Sequence, residues 1–515
     1  MSQANSAADK ERYFQTDHLK KGLRGRSVRG GAMTLGGQGG SFILGLASTA
    51  VLARLLTPED FGLIAMTAII TGFVGLFKDL GLSMATVQRE EVNHRQISNL
   101  FWVNAGLGLI IAAVICALSP LVAWFFSDMR LVGVTIAMSS SFAIQGFGVQ
   151  HRALLRRQMR FGVTTLMELS ASLVGPIVAI AAALMGAGYW SLVILIVSGT
   201  LVGNMIAWSV TRWIPALPNR GSGIRSMLGF GASVSGVNLM YYMASRLDNL
   251  LIGRAIGPEA LGLYSKAYSL LLLPIQQIGR PVSNVAMPAL SRLQNDPPTY
   301  RRYYSQTLLI IMGIGMPIVI FALVSADSVV LTVLGQQWVD SVDIFRWLAP
   351  AAFFATFNSA TSWVFVSTGQ VNRQLKWSFV SVSVTLIGFA VGINWGVIGV
   401  AASFSITRTL LIYPSFVYCY RTTPPTMMDF LAVAWRPAVA SFTAGAVLAG
   451  WIQFSDITSI PILQLMINLT VFTVGYGATW LSVPGGRVTA VRTLRLLKEL
   501  RPTSNKPRTL VDNAS

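Results

Sequence analysis

Long apolar runs recur along the whole chain and restrict its fold more than any other feature. A membrane-spanning helix needs about 20 mostly apolar residues, and the chain offers about fourteen such runs between clusters of charge. The alternating pattern of barrel strands is absent from the sequence. We therefore predict an all-α integral membrane protein. The runs are roughly 30–53, 61–77, 97–126, 131–149, 162–186, 190–210, 227–252, 263–279, 305–325, 345–367, 377–393, 397–420, 432–452 and 460–483.

Basic residues predict the orientation of these helices. The chain has 39 Lys and Arg against 20 Asp and Glu, a net charge of +19. With fourteen spans, and with residues near the end of a span counted with the adjacent side, 32 of the 39 basic residues fall on the side of both termini, 6 fall on the other side and Arg408 lies near the middle of a span. Because basic loops stay in the cytoplasm, both tails, 1–29 and 484–515, are predicted to be cytoplasmic.

The charge distribution and the motif content argue against several function classes. A nucleic-acid-binding protein would collect its positive charge on one face or domain, whereas here the charge recurs from loop to loop. No ATP-binding P-loop motif occurs, and the three histidines have no metal-ligand spacing with the two cysteines. We therefore expect no nucleic-acid partner, no resident metal or cofactor, and no enzymatic activity.

The chain repeats itself at an offset of 200 residues. Residues 51–63 read VLARLLTPEDFGL and residues 251–263 read LIGRAIGPEALGL. Six predicted spans separate the copies, an even number, so the copies run parallel and relate by an axis along the membrane normal. Paired bundles of this kind are a transporter architecture, with the substrate site at their interface. The motif positions that we single out are Arg54/Arg254, Pro58/Pro258 and Gly62/Gly262.

The repeat predicts two six-helix lobes followed by two further helices. The lobes are 30–212 and 226–421, and the last helices occupy 432–483. The C-terminal tail has apolar residues at every third position beside basic ones. This pattern fits either an amphipathic helix on the anionic lipids of the inner leaflet or a tail that only fixes the topology.

Four segments carry a resemblance to a known family: VLARLLTPEDFGLIAMTAII at 51–70, ATVQREEVNHRQISNLFWVNAGLG at 85–108, DNLLIGRAIGPEALGLYSKAYSLLLLPIQQIG at 248–279 and VLGQQWVDSVDIFRWLAP at 333–350. They resemble the polysaccharide-transporter family, which includes the Wzx-type flippases and the exporters of colanic acid and succinoglycan. That family belongs to the superfamily of multidrug, oligosaccharidyl-lipid and polysaccharide exporters. The resemblance also covers the helix count of six plus six plus two, a MATE-like arrangement.

The resemblance implies a function for the chain. It implies alternating-access transport of an undecaprenyl-diphosphate-linked oligosaccharide across a bacterial inner membrane, for exopolysaccharide or lipopolysaccharide synthesis. It also implies a polysaccharide polymerase and chain-length machinery as partners. Two alternatives stay open: a multidrug exporter of the same superfamily, and a membrane-embedded polysaccharide polymerase or ligase. The short outer loops argue against the catalytic surface that an enzyme of this kind needs.

Two charged residues within predicted spans are the main candidates for function. A charge at the centre of a membrane helix costs at least about 2.5–3.5 kcal/mol and usually faces the interior of a bundle. Arg408 is a candidate for binding the diphosphate or sugar, and its counterpart is Thr200 when Gly188 is aligned with Gly396, an offset of 208. Glu168 is a candidate for coupling transport to a proton or a sodium ion. The alternative for both is a structural ion pair between Arg408 and Glu168.

The motif of the second lobe carries two further charges. Arg246 is a second candidate for substrate binding, and Asp248 a second candidate for ion coupling. Spaced i,i+2, they point to different faces of a helix, and the alternative for both is a buried link to the outer loop. Their counterparts in the first lobe are Leu46 and Ser48. We further expect two loop clamps, in which Arg54 and Arg254 pair with Glu59 and Glu259.

Overall fold

The described part of the chain in this computed structural model is helical. The structure describes residues 23–78, 82–89, 92–218, 242, 246–454, 461–487 and 489. The predicted run 227–252 and both tails lie largely outside these residues, as does the predicted amphipathic C-terminal helix. The α-helices are α1 Leu23–Leu55, α2 Pro58–Gly75, α3 Leu82–Gln88, α4 His94–Phe126, α5 Arg130–Gly146, α6 Val149–Arg157, α7 Phe161–Leu184, α8 Trp190–Thr211, α9 Leu247–Ala255, α10 Pro258–Arg292, α11 Pro297–Val324, α12 Ala326–Val333, α13 Ser341–Ser367, α14 Val371–Gly392, α15 Gly396–Tyr420, α16 Met427–Phe454 and α17 Pro461–Ser482.

Several of these helices can cross a membrane. By length and composition, eight candidate spans occur within the described ranges, or up to nine if the bent pair α5 and α6 counts as one. The chain is therefore a multi-span helical membrane protein. The count of fourteen spans stays a prediction, as does the cytoplasmic position of both termini.

The repeated motif forms the same helix break twice. The helix before the break ends at Leu55 in the first copy and at Ala255 in the second, and the next helix begins at Pro58 and at Pro258. Proline suits the first helical position because its missing N–H has no partner there in any case. In the first copy, Thr57 completes a capping box with Asp60. In the second copy, the residue before the proline is Gly257, whose φ is 120°.

The two copies of the motif pack against each other in a reciprocal contact. A Cβ atom built on Gly62 would lie 1.7 Å from the carbonyl oxygen of Pro258, and one built on Gly262 would lie 1.8 Å from that of Pro58. The glycine of each copy therefore meets the proline of the other copy, as in contacts around a two-fold axis. Only glycine lets the two backbones approach this closely. We call the contact of residues 58–62 with 258–262 the repeat junction.

Aromatic and amide side chains surround the repeat junction. The ammonium of Lys266 lies 4.0 Å from the centroid of the Phe61 ring, and the Trp338 ring meets Phe61 edge-on at 5.4 Å. The Trp338 indole N–H donates to the carbonyl of Ala53 at 2.8 Å, and Gln337 donates to that of Leu56 at 2.8 Å. These donors satisfy carbonyls at the end of α1 that no turn of helix can reach.

The chain divides into two compact units. Unit 1 comprises 1–267, 333–344 and 386–403, and unit 2 comprises 268–332, 345–385 and 404–515. Unit 1 thus joins the first six predicted spans to three segments of the predicted second lobe. In unit 2, α16 packs on α11 and α17, and the hydroxyls of Tyr304 and Tyr420 bond at 2.7 Å.

The close approach at the repeat junction predicts a strong effect of one methyl group. We expect Gly62→Ala to lower the free energy of unfolding by about 1–3 kcal/mol, because the added Cβ overpacks the contact with Pro258. Gly106→Ala is the matched control, since a Cβ at Gly106 meets no atom within 4 Å and alanine favours a helix. The melting temperatures of the two purified variants measure the difference. Equal stability of Gly62→Ala and Gly106→Ala would contradict the reciprocal contact.

Candidate functional site

A cavity of about 580 Å³ lies within unit 1 and is walled by α1, α5, α6, α7 and α8. Its wall combines both signs of charge with hydroxyl and amide groups. Such a wall can bind phosphate and sugar groups by ionic and neutral hydrogen bonds. The polar residues of the wall are Ser48, Thr49, Gln145, Arg152, Arg156, Thr164, Glu168, Ser172 and Thr200.

Two arginines of the short helix α6 supply the positive charge of the cavity. Arg152 and Arg156 are spaced i,i+4, so they lie on one face of the helix with their Cβ atoms about 6 Å apart. Arg152 donates to the carbonyl of Gln145 at 3.3 Å, while Arg156 is exposed. Two guanidiniums on one helix face match the two charged groups of a diphosphate.

A bend between α5 and α6 places these arginines. The two helix axes differ by 42°, and the bend lies at residues 146–149, where α5 ends and α6 begins. A Cβ on Gly148 would lie 1.9 Å from the Oδ1 atom of Asn204 on α8, and Asn204 Nδ2 donates to the carbonyl of Ile144. Glycine at position 148 therefore lets α8 approach the bend.

Glu168 brings negative charge to the same cavity. Its side chain is exposed and lies in the wall formed by α7. Among the described residues of unit 1, no carboxylate–guanidinium pair involves Glu168. Glu168, singled out from the sequence for ion coupling, thus lies in the wall of this cavity, and its role in coupling stays a prediction.

Arg408 belongs to unit 2, on α15. Its guanidinium carbon lies 5.2 Å from the centroid of the Phe404 ring, and its buried Nε atom has no hydrogen-bond partner among the residues that the structure describes. Its repeat counterpart, Thr200, is part of the cavity wall of unit 1. The internal repeat therefore assigns Arg408 to the position in the second half that corresponds to a cavity residue in the first. The alternative pairing with Glu168 stays a prediction.

Arg246 and Asp248 point apart, as their spacing predicts. Asp248 is 6% exposed and accepts hydrogen bonds from the backbone N–H of Asn249 at 2.8 Å and from the Tyr264 hydroxyl at 3.0 Å. It thereby ties α9 to α10. Arg246 is exposed and lies 5.9 Å from the Tyr242 ring centroid, beside an apolar crevice of about 380 Å³. Neither residue lines the cavity of unit 1.

The structure gives Glu59 a different partner from the one that the expected loop clamp assigns. Glu59 pairs with Arg130 at 2.5 Å, and Arg130 also pairs with Asp128 at 2.7 Å. Arg254 lies over the Phe125 ring at 6.0 Å. The helix break turns the chain between each arginine and the glutamate five residues later, so Glu59 meets a residue of α5 instead. The hydrogen bond from Arg130 also holds the pKa of Asp128 below its ordinary value.

Sequence analysis missed Arg152 and Arg156, which it counted only as cytoplasmic charges. Their i,i+4 spacing directly after an apolar run is the signal that could have identified them. Metal binding finds no support in the described ranges, which hold no group of three or more His, Cys, Asp or Glu that could hold a metal ion.

The polar wall predicts that water fills the cavity. In a protein lacking Cys116 and Cys419, we expect Ser172→Cys to react with a charged thiol reagent at least about tenfold faster than Ile177→Cys, because only a hydrated thiol ionises readily. Ile177, on the same helix α7, is 57% exposed and lies outside the cavity wall. The measurement is the rate of thiol modification of each variant in native membranes. Equal rates for the two variants would contradict an aqueous cavity.

The chain is similar to proteins of polysaccharide biosynthesis. A family model described as polysaccharide biosynthesis protein matches residues 51–343. The lipopolysaccharide biosynthesis protein WzxC of Escherichia coli K12 is 24% identical over 427 residues, covering 79% of this chain and 85% of that protein. The succinoglycan biosynthesis transport protein ExoT of Rhizobium meliloti is 23% identical over 445 residues, covering 85% and 89%.

Solved structures share the fold. The lipid II flippase MurJ in an inward closed conformation matches with a TM-score of 0.66 and 13% identity, over 90% of this chain and 98% of that chain. An inward-facing multidrug-resistance transporter of the MATE family matches with a TM-score of 0.58 and 18% identity, over 74% and 93%. At these identities the likeness establishes the fold alone. Since the family model matches more than half of its length, the chain belongs to the family of polysaccharide biosynthesis proteins.

Proposed function

We propose that the protein moves an undecaprenyl-diphosphate-linked oligosaccharide from the inner to the outer leaflet of a bacterial inner membrane. The single observation that carries this proposal is the cavity of unit 1, with the arginine pair of α6, Glu168 and several hydroxyls in one wall. The names of the relatives support it, because WzxC and ExoT are named for lipopolysaccharide and succinoglycan biosynthesis, and MurJ is named a lipid II flippase.

The chemistry of the cavity matches the headgroup of such a lipid. A phosphate that leaves water without replacement of its hydrogen bonds is costly in free energy. Guanidiniums replace those bonds at about 1.5–3 kcal/mol for each hydrogen bond to a charged group. We propose that Arg152 and Arg156 bind the diphosphate, while Glu168, Ser172 and other polar groups of the wall bind sugar hydroxyls. The polyprenyl chain stays in the surrounding lipid.

The predicted orientation puts the arginine pair where the substrate enters. The positive-inside bias assigns α6 to the cytoplasmic side, and the oligosaccharide is carried from the inner leaflet in this proposal. The repeat junction lies at the opposite, outer side by the same bias. We propose that transport proceeds by alternating access, and that Arg408 of unit 2 also binds the diphosphate during transport. A polysaccharide polymerase and chain-length machinery would act on the product.

Reconstitution into liposomes with a lipid-linked oligosaccharide tests the proposal. We expect wild-type protein to exchange the lipid between leaflets without lengthening the sugar chain. Replacing Arg152 and Arg156 by Gln together should slow exchange by about tenfold or more, from the loss of charged hydrogen bonds. Arg408→Met should abolish exchange and Arg408→Lys should keep part of it, because lysine retains the charge but loses the bidentate fork.

Each other outcome has a distinct meaning when exchange is normalised to membrane-inserted protein. Wild-type exchange by the Arg152/Arg156 variant would remove the pair from the site. Wild-type exchange by Arg408→Met would do the same for Arg408, and recovery of that variant by Glu168→Gln would favour an ion pair between them. Growth of the sugar chain, or exchange of drugs in place of the lipid, would contradict the proposed function.

A further inference from the structure

The helix that carries the arginine pair cannot fix its own orientation. Helix α6 has nine residues, Val149–Arg157, and isolated helices shorter than about 12–15 residues are marginal in water. Its rotation about its own axis decides whether Arg152 and Arg156 face the cavity. Contacts with neighbouring elements must therefore set this rotation.

Arg157 provides one of these contacts. Arg157 is only 4% exposed. Its Nη1 atom donates to the carbonyl of Thr86 at 3.0 Å and to that of Arg89 at 2.5 Å. Both acceptors lie at the C-terminal end of the short helix α3. That end carries unsatisfied carbonyls and the negative end of the helix dipole, which favour a cation.

A second anchor lies on the same face of α6. Gln150 is fully buried, and its Oε1 atom accepts a hydrogen bond from the Thr86 hydroxyl at 3.0 Å. At 3.6 residues per turn, Gln150 and Arg157 lie within about 20° of each other around the helix. Arg152 and Arg156 lie within about 40° of each other, and the two pairs point about 130° apart. One face of α6 therefore holds α3 while the far face presents its arginines to the cavity.

Topology alone does not require this arrangement. A positive-inside charge needs only to remain near the membrane surface, as exposed Arg156 does. A buried guanidinium instead destabilises the protein unless hydrogen bonds compensate for its lost hydration. At position 157 two backbone carbonyls provide these hydrogen bonds, although the neighbouring Arg156 is exposed.

We propose that Arg157 is a positioning residue for diphosphate binding: by anchoring α6 to the carbonyl end of α3, it holds Arg152 and Arg156 toward the cavity. This inference rests on the proposed function of that pair. Arg157 itself contacts no substrate, and its effect on affinity passes through the two arginines.

A double-mutant cycle on affinity tests the proposal. The probe is farnesyl diphosphate, and binding is measured on full-length protein in nanodiscs. We expect Arg157→Leu to weaken binding about fivefold in the wild-type background, the size of a coupling between neighbouring groups. With Arg152 and Arg156 both replaced by Gln, which alone should weaken binding about tenfold, Arg157→Leu should change affinity less than about twofold. A residue with a purely structural role would weaken binding equally in both backgrounds, and that result would overturn the proposal.

Three further variants make the result decisive. Arg157→Lys, which keeps a cationic donor, should recover part of the affinity, and Arg95→Leu, which removes an exposed arginine at the start of α4, should leave it unchanged. Gln150→Leu removes the neutral anchor without burying an unpaired charge, so it serves as the test even if Arg157→Leu does not insert into the membrane. It should weaken binding of the probe when Arg152 and Arg156 are present, and have little effect on affinity when both are replaced by Gln. Unchanged affinity of the variant that lacks Arg152 and Arg156 would refute the diphosphate site itself. If that variant binds the probe weakly while Arg157→Leu and Gln150→Leu both bind it as tightly as wild type, only the positioning role is refuted.

Discussion

The cost of removing charge from water governs this protein. Only 11% of its residues are charged, and each charge placed among the helices needs a partner or a hydrated surface. Asp248 meets this requirement with a backbone N–H and a tyrosine hydroxyl, and Arg157 meets it with two carbonyls. Arg152, Arg156 and Glu168 remain at a polar cavity instead. Asp248 and Arg157 are thus buried against protein partners, whereas the side chains of Arg152, Arg156 and Glu168 also face a cavity.

The repeated motif gives this arrangement its frame. Two helix breaks, each followed by a proline, bring Gly62 and Gly262 against the carbonyls of the opposite copy. The contact is tight enough to exclude a side chain at either glycine, and the ammonium of Lys266 lies against the Phe61 ring beside it. Both copies of the motif therefore have to keep glycine at this position for their backbones to meet.

Sequence reasoning succeeded where a residue type and a period carry the signal. The apolar run 162–186 predicted α7, which spans Phe161–Leu184, and the run 190–210 predicted α8, which spans Trp190–Thr211. Glu168 was singled out by its depth in an apolar run and lies in the cavity wall, while its role in ion coupling stays a prediction. Gly62 and Gly262 were identified as a repeat, although their mutual contact depends on a three-dimensional approach that no local pattern records.

The remainder escaped prediction for physical reasons. Helices α3 and α6 are too short and too polar to form an apolar run, so their tertiary contacts decide their existence. Three arginines of α6 look alike in sequence, but the side from which α3 packs makes Arg157 an anchor and leaves Arg152 and Arg156 to the cavity. The partner of Glu59 was predicted from sequence proximity, whereas Arg130 reaches it from another helix.

Photochemical cross-linking of the substrate tests most directly whether the cavity of unit 1 holds the headgroup. A lipid-linked oligosaccharide with a photoreactive group on its first sugar should label the segments 164–176 and 195–203, which contribute to the cavity wall. Unlabelled lipid-linked oligosaccharide should compete for this labelling, and replacement of Arg152 and Arg156 by Gln should reduce it. Labelling confined to surfaces outside the wall, such as α17, with none in these two segments would contradict the account.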